Sequence, residues 1–592
     1  MGEKTHMTGY IKRIEKSLSA EKIDILKHIF KPTVVKTPLE DSRKDICILK
    51  DGEIRSYGSI YKLRHDKSKE RKAYLSSKDA GLSWEFKYAK GIMHSSTYLE
   101  KPDLYIRIKD KSWFEESEKG LFVYRSKIGP DDENPEKIKI SDDDYYSEAY
   151  LPQKSAFSDR IWFTAEKFEN ARFIATFFFS DDFGLTWEKR DVLSPAFFDV
   201  KFPHKGKRWQ QISGAEPYAV ETGENQLMMI LRTPTDNFYM SYSDDGGNTW
   251  TESVPSTFYG TNTTAFMLRL QDGRILNFWN NTKPLPEVDH TKTIPPSAKT
   301  EIDGLDEDAF TNRDAAHCAI SSDGGKTFKG YREILLNPAR NRSDFRYFGG
   351  AESSPDKSVH QFQAFELPFN KVLVSVGQNQ ASRRLIIFDI DWLLEENAEE
   401  NFLSGVENIT THTYLKSVSG CHVQDVGNGH CAWNRTYSAY PMPDPDGGYG
   451  ECLYIKKGND PCLINNIGGA CWNFPMSKKG RVTAEIKIIE KQAKFILTDR
   501  WYNTCDEYAY LTSPFNFLVD IKDTGREFVK VSADFDTENG ECHVYINDEH
   551  YSDIKMTNPC PTGISYLILQ CDTDGESDGF YIKSLSKTGA KL

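Results

Sequence analysis

The 592-residue chain has no run of 18 or more apolar residues, which excludes a membrane-spanning helix. It has no C-x-x-C pair, which argues against a zinc ribbon. Cysteine is nearly missing from the first 400 residues: Cys47 and Cys318 stand there, and the other nine (421, 431, 452, 462, 471, 505, 542, 560 and 571) follow. In a reducing compartment these are expected as thiols on strands. Positive charge is in deficit, with a formal net charge of −13, so a general nucleic-acid binder is excluded. The first 35 residues are charged and helix-patterned (Ile11, Ile14, Leu18, Ile23, Ile25, Leu26, Ile29). They lack the apolar core and cleavage pattern of a signal peptide, and a cytoplasmic location is the expectation.

What the chain does have is a repeated turn. It reads Ser77-Lys-Asp79-Ala-Gly81-Leu-Ser83-Trp84, Ser180-Asp-Asp182-Phe-Gly184-Leu-Thr186-Trp187, Ser243-Asp-Asp245-Gly-Gly247-Asn-Thr249-Trp250 and Ser321-Ser-Asp323-Gly-Gly325-Lys-Thr327-Phe328. The shared pattern is S-x-D-x-G-x-[ST]-[WF]. Three of the copies follow a β-rich run: Lys72–Leu75, Phe177–Phe179 and Phe238–Met240. An Asp in a tight turn accepts backbone N–H groups, a Gly permits positive φ, and Ser or Thr hydroxyls satisfy the remaining groups. The terminal aromatic is placed to pack between neighbouring sheets. The motif is therefore a structural hairpin clamp. Its aspartates are 103, 63 and 78 residues apart, too far for a solenoid and suited to four-stranded propeller blades, some without the motif.

These turns resemble the Asp boxes of the sialidases and their relatives, and the resemblance implies a six-bladed β-propeller. The expected organisation is all-β: a helical segment over 1–35, the propeller over 36–395, and a second domain over 405–592. Strand-like stretches at 371–376 and 385–389 end the propeller, 391–397 reads as a short helix, and the charged stretch 395–401 as a linker. The second domain carries no such turn. Its short strands (482–488, 528–535, 543–546, 566–570, 579–583) alternate with turn signals, the pattern of a two-sheet sandwich. It is similar to the concanavalin-like jelly rolls attached to glycosidases, and a structural accessory role is expected.

The resemblance also implies site residues. Sialidases hold a sugar carboxylate with three arginines, whose planar guanidinium groups make bidentate bonds to it. They use an Asp acid and a Tyr nucleophile activated by a Glu, because an anionic sugar repels a carboxylate attacker. Ala215-Glu216-Pro217, the strand ending at Arg232 and the third box follow the family order, which gives Glu216 the activating role and Arg232 the second arginine. Arg313 stands the family distance before the fourth box and fits the third arginine. Arg43, in a stretch that lacks the family's I-P, is matched to the first. Arg64 and Asp66 precede the first box, Arg64 as a substrate contact and Asp66 as the acid; a solvated loop carboxylate is the alternative. Where the family has Tyr, this chain has His360 or Gln361. His360 is open to a role as base, acid or hydrogen-bond donor to sugar hydroxyls. Tyr347 lies thirteen residues before it.

The reading that results is an exo-acting glycosidase of the sialidase superfamily, cleaving a terminal acidic sugar from an oligosaccharide or glycoconjugate. It needs no metal or other cofactor, and it engages neither nucleic acid nor membrane. A homo-oligomer is open to it, with the proline-rich insertion 282–311 as a lid or contact surface. Two rival readings stand beside it: a sialidase-like enzyme of changed chemistry (another glycosidase, inverting, or a uronate lyase), and a non-catalytic glycan-binding propeller. The polar runs 157–160 and 202–209 are further candidates for the propeller's mouth.

Overall fold

The computed structural model describes residues 9–589, except 40–45, 62–69, 110–117, 147–150, 170–171, 194–214, 234, 236, 261–262, 284–312, 337–358, 378–381, 416–433, 449, 458–465 and 572–578. Two short helices, α1 (Gly9–Ser17) and α2 (Ala20–His28), lead into six four-stranded sheets. In chain order blade I is Ile46–Ile48, Ile54–Tyr61, Glu70–Ser77 and Glu85–Tyr88. Blade II is Thr97–Leu99, Leu104–Lys109, Leu121–Ser126 and Glu136–Ser141. Blade III is Gln153–Lys154, Ile161–Glu169, Arg172–Ser180 and Glu188–Val192, and blade IV is Ala215–Gly223, Gln226–Arg232, Asn237–Ser243 and Val254–Tyr259. Blade V is Phe266–Arg269, Ile275–Trp279, Ala315–Ser321 and Lys329–Leu336. Blade VI takes Gln363–Leu367, Lys371–Val376 and Arg384–Asp389 from late in the chain, and its outer strand, Thr33–Lys36, from the start. That strand crosses the division expected at residue 35. Among the described residues no helix is long and apolar enough to cross a membrane.

Each seam between neighbouring blades is filled by its own apolar cluster. Tyr57 and Tyr74 meet Tyr105 and Phe122 between I and II, and Ile106 and Val123 meet Phe163 and Phe178 between II and III. Phe177 and Phe179 meet Leu227 and Leu231 between III and IV, and Ile230 and Met228 meet Met267 and Trp279 between IV and V. Phe278 and Ile320 meet Phe362 and Val374 between V and VI. The sixth seam packs Ile46 and Ile54 on Leu373 and Ile387, and the helices add Ile14, Leu18 and Leu26. Six seams in a ring of six sheets leave no open edge between first and last, as expected of a propeller.

The repeated turns join the third and fourth strands of blades I, III, IV and V, and they share one bonding pattern. In blade IV, Ser243 Oγ donates to Asp245 Oδ1 at 2.8 Å and accepts from Gly247 N at 2.8 Å. Thr249 N and Oγ1 donate to the two carboxylate oxygens of Asp245 at 2.8 and 2.7 Å. Gly247 has φ +93°, and a Cβ there would lie 2.3 Å from the Phe177 ring of blade III. Trp250 stands 5.1 Å from that same ring, so the turn of one blade grips the body of the one before it. Blade II keeps the geometry without the motif: Ser126 Oγ donates to Asp132 and accepts from Gly129 N at 3.0 Å.

Beyond the 3-10 helix Ile390–Leu394, two antiparallel sheets stack as a β-sandwich around one apolar core. One has the order Ala439–Pro443, Glu451–Ile455, Phe580–Thr588, Lys479–Ile488, Val529–Asp536, Glu541–Ile546, Glu549–Lys555. Ala398–Glu400, inside the stretch expected as linker, adds to it by pairing with Phe580–Thr588. The other runs Ile409–Thr410, Gly469–Ser477, Ile564–Cys571, Gln492–Thr498, Phe515–Asp520. Eight cysteines are free and buried among the described residues.

The box carboxylates make the fold acid-sensitive. Burial raises the Asp323 pKa, but the bonds from Thr327 and Ser321 outweigh it and hold the carboxyl down to about 2. Asp79, Asp182 and Asp245 are lowered by the same balance. A depressed folded-state pKa contributes stability above the ordinary value near 4, and this is lost as pH falls toward about 2. Chemical denaturation should therefore show stability dropping between about pH 4 and pH 2, and a smaller drop in Asp323→Asn. At neutral pH Asp245→Ala should cost about 1–2 kcal/mol, read from the urea midpoint.

Candidate functional site

In each blade, the start of the innermost strand, the end of the second and the start of the third lie at one end of the ring. The repeated turns lie at the other. Glu216, Arg232, Arg313, His360 and Gln361 all fall at the first end. Glu216 begins the inner strand of blade IV and Arg232 ends the second strand beside it, in a register that shifts between Ala215 and Tyr218. Arg313 immediately precedes the third strand of blade V, and His360 and Gln361 precede the inner strand of blade VI. All five are buried, Arg232 to 3% exposure and Arg313 to 1%.

The side chains form one connected group. The Arg232 guanidinium donates to the Glu216 carboxylate. Burial lowers the Arg232 pKa; the Glu216 and Glu166 charges oppose that and the charge of Arg313 reinforces it. Arg313 Nη1 donates to His360 Nε2 at 3.3 Å. A guanidinium is always a donor, so this bond requires a neutral His360 with its ring proton on Nδ1. The backbone fixes the same pair: Val359 N donates to Arg313 O at 2.8 Å, and Asn280 Nδ2 donates to both Ala315 O and Val359 O.

Two of these residues hold unusual backbone. Glu216 has φ +48° and Gln361 has φ +67°, the left-handed region that side chains with a Cβ rarely adopt. Both stand where an inner strand begins. Strain of this kind persists where the surroundings over-determine it, and it concentrates at functional sites.

Arg43, Arg64 and Asp66 lie outside the described residues, as do Tyr347, the run 202–209 and most of the insertion 282–311. The run 157–160 sits at the opposite end of the ring. Arg160 there pairs with Asp181 at 2.7 Å and donates to the carbonyl of Gly246, a residue of the blade IV turn. It braces a turn and does not line the mouth.

Two residues were missed in the sequence. Glu166, on the second strand of blade III, accepts the backbone N–H of Glu216 through its carboxylate. Alternation in its strand would have set it apart only if its burial had been known. Arg383 is fully buried, immediately before the third strand of blade VI, and donates to Ser375 Oγ at 3.0 Å. Gly377 brings it near His360: Gly377 N donates to His360 O at 2.7 Å, and a Cβ at Gly377 would lie 2.4 Å from the Arg383 backbone. Its place before a third strand matches that of Arg313 in blade V, a signal that was present in the strand order.

Residues 135–348 match the family model of the BNR repeat-like domain. The matched stretch runs from the last strand of blade II through blade V and holds three of the four turns. No curated protein matches. Among solved structures, the chain is similar to a protein of unknown function from Dyadobacter fermentans at 18% identity, over 61% of this chain and 97% of that one, with a TM-score of 0.37. It is similar to Trypanosoma rangeli sialidase in complex with sialic acid at 10% identity, over 95% and 92%, with a TM-score of 0.37. It is also similar to the NanB sialidase of Streptococcus pneumoniae at 12% identity, over 63% and 73%, again with a TM-score of 0.37.

The Arg232–Glu216 pair is a desolvated ion pair, and breaking it from one side leaves a charge in a dry site. Arg232→Ala and Glu216→Gln should each destabilise the fold, Arg232→Ala by about 3–5 kcal/mol, in paired urea titrations.

Proposed function

We propose that this protein is an exo-acting glycoside hydrolase of the sialidase superfamily that releases a terminal acidic sugar, sialic acid or a relative, from an oligosaccharide or glycoconjugate. One observation carries the reading: two guanidinium groups from adjacent blades, Arg232 bonded to Glu216 and Arg313 bonded to His360, are buried at the same end of the ring. Bringing like charges together out of water is costly, and a carboxylate ligand is the chemistry that repays it. In this reading Arg232 and Arg313 hold the sugar carboxylate, and Glu216 tunes the attacking group while it orients Arg232. Arg43 and Arg64 add contacts, and Asp66 protonates the leaving oxygen.

A second reading rests on His360. It stands where the resemblance implies a tyrosine, and with Nε2 accepting from Arg313 it orients that guanidinium and is not free to attack. An enzyme of changed chemistry, with water or another group as the attacker, follows from that arrangement.

A panel of fluorogenic sialosides and uronides separates the readings. On the main one, a sialoside is hydrolysed, and Glu216→Gln and Arg313→Lys each lower kcat/KM by about 100-fold or more while circular dichroism stays unchanged. Turnover confined to uronides supports changed chemistry. Sialoside binding without turnover of any member refutes both enzyme readings.

A further inference from the structure

The outer hairpin of the sandwich carries a group of side chains that the propeller site does not use. Its strands are Glu541–Ile546 and Glu549–Lys555, the second of them the edge of its sheet. Asp553 Oδ1 lies 2.6 Å from His543 Nδ1 and 2.9 Å from His550 Nε2, and the three ligand atoms all fall within 4.8 Å of one another. Among the described residues this is the one set of three or more His, Cys, Asp or Glu side chains so placed.

The backbone is bent to make this set. His550 and Asp553 are three residues apart, and a regular strand would turn them to opposite faces. The pairing shows why it does not: Val544 faces Ser552 and Tyr545 faces His550, so Tyr551 is passed over in a β-bulge. One extra residue restores the parity and puts His550 beside Asp553. His543 lies directly opposite Asp553 in register, on the face away from the buried Val544. Bulges of this kind re-aim a side chain.

We propose that His543, His550 and Asp553 bind a divalent transition cation of the zinc class. Two imidazoles and one carboxylate are a donor set suited to such ions, and three protein ligands leave a position open. His543 would ligate through Nδ1 and His550 through Nε2, each keeping its proton on the other nitrogen. Donors around a tetrahedral zinc are about 3.3 Å apart, so the side chains need only open slightly, which half-exposed rotamers allow. Asp534, opposite His543 on the inner side, is held by Arg481 through two bonds of 2.6 Å and is not a fourth ligand. The open position faces solvent and takes water.

Calorimetric titration of the chelator-treated full chain with zinc chloride tests this. One zinc per chain is expected, with at least about a tenfold loss of affinity in Asp553→Asn and in His550→Gln. The positions are exposed, and unchanged circular dichroism will show that the fold is kept. A cobalt titration should give a spectrum of nitrogen and oxygen ligation in the wild type that both variants lose. Absence of stoichiometric zinc in the wild type overturns the proposal, and so does equal affinity in the two variants.

Discussion

The architecture rests on the closing of the ring. Thr33–Lys36 pairs with Arg384–Asp389, more than 300 residues away, and completes blade VI from the start of the chain. At the other edge of that sheet, the Gln363 side chain accepts from Ile46 N at 2.9 Å and donates to Ile46 O at 2.8 Å, so a side-chain amide joins the inner strands of the last and first blades. Without that closure the first and last sheets would each expose an apolar face and an unpaired edge. With it, six inner strands begin around one axis. The convergence of Glu216, Arg313 and His360 from three blades follows from this.

That convergence carries an electrostatic cost, and the blades are arranged to bear it. Arg232 and Glu216 neutralise each other in a dry site, Glu166 ties down the Glu216 backbone, and His360 takes a donor from Arg313 without adding charge. Arg313 precedes the strand Ala315–Ser321, whose other end opens the blade V turn, where a Cβ at Gly325 would lie 3.0 Å from Met228 of blade IV. The repeated motif is thus distant from the site and still anchors the strand that follows Arg313.

Much of this was legible in the sequence where the signal is local. The Ser, Asp, Gly and aromatic of each turn interact within eight residues, so four copies read directly as clamps. Arg232 and Arg313 could be singled out because they stand at fixed steps from such a turn, and both lie buried at the same end of the ring. Glu166 and Arg383 could not be, because what marks them is burial supplied by strands far away in sequence. The turn at Ser126 escaped because Asp132 replaces the motif aspartate at a different spacing. The bulge at Tyr551 was invisible for a related reason: a skipped residue shows only against its partner strand.

The sandwich is better regarded as a buttress of the propeller than as an appended module. Asn281 N donates to His317 Nδ1 at 3.0 Å, so His317 carries its proton on Nε2 and gives it to Tyr566, whose hydroxyl donates to Glu333 at 2.6 Å. Burial holds His317 down to about 3, so the relay keeps one direction at any ordinary pH. Lys283 and Asn281 exchange backbone bonds with Trp501 of the sandwich, and Asn281 Nδ2 reaches Asp499 O. These contacts meet the second strand of blade V where it ends, beside Asn280, whose amide holds Ala315 and Val359 next to Arg313. The second domain therefore grips the same stretch of chain that positions Arg313, and a disturbance of the Tyr566 seam has a short path to that guanidinium, through Asn281 and Asn280.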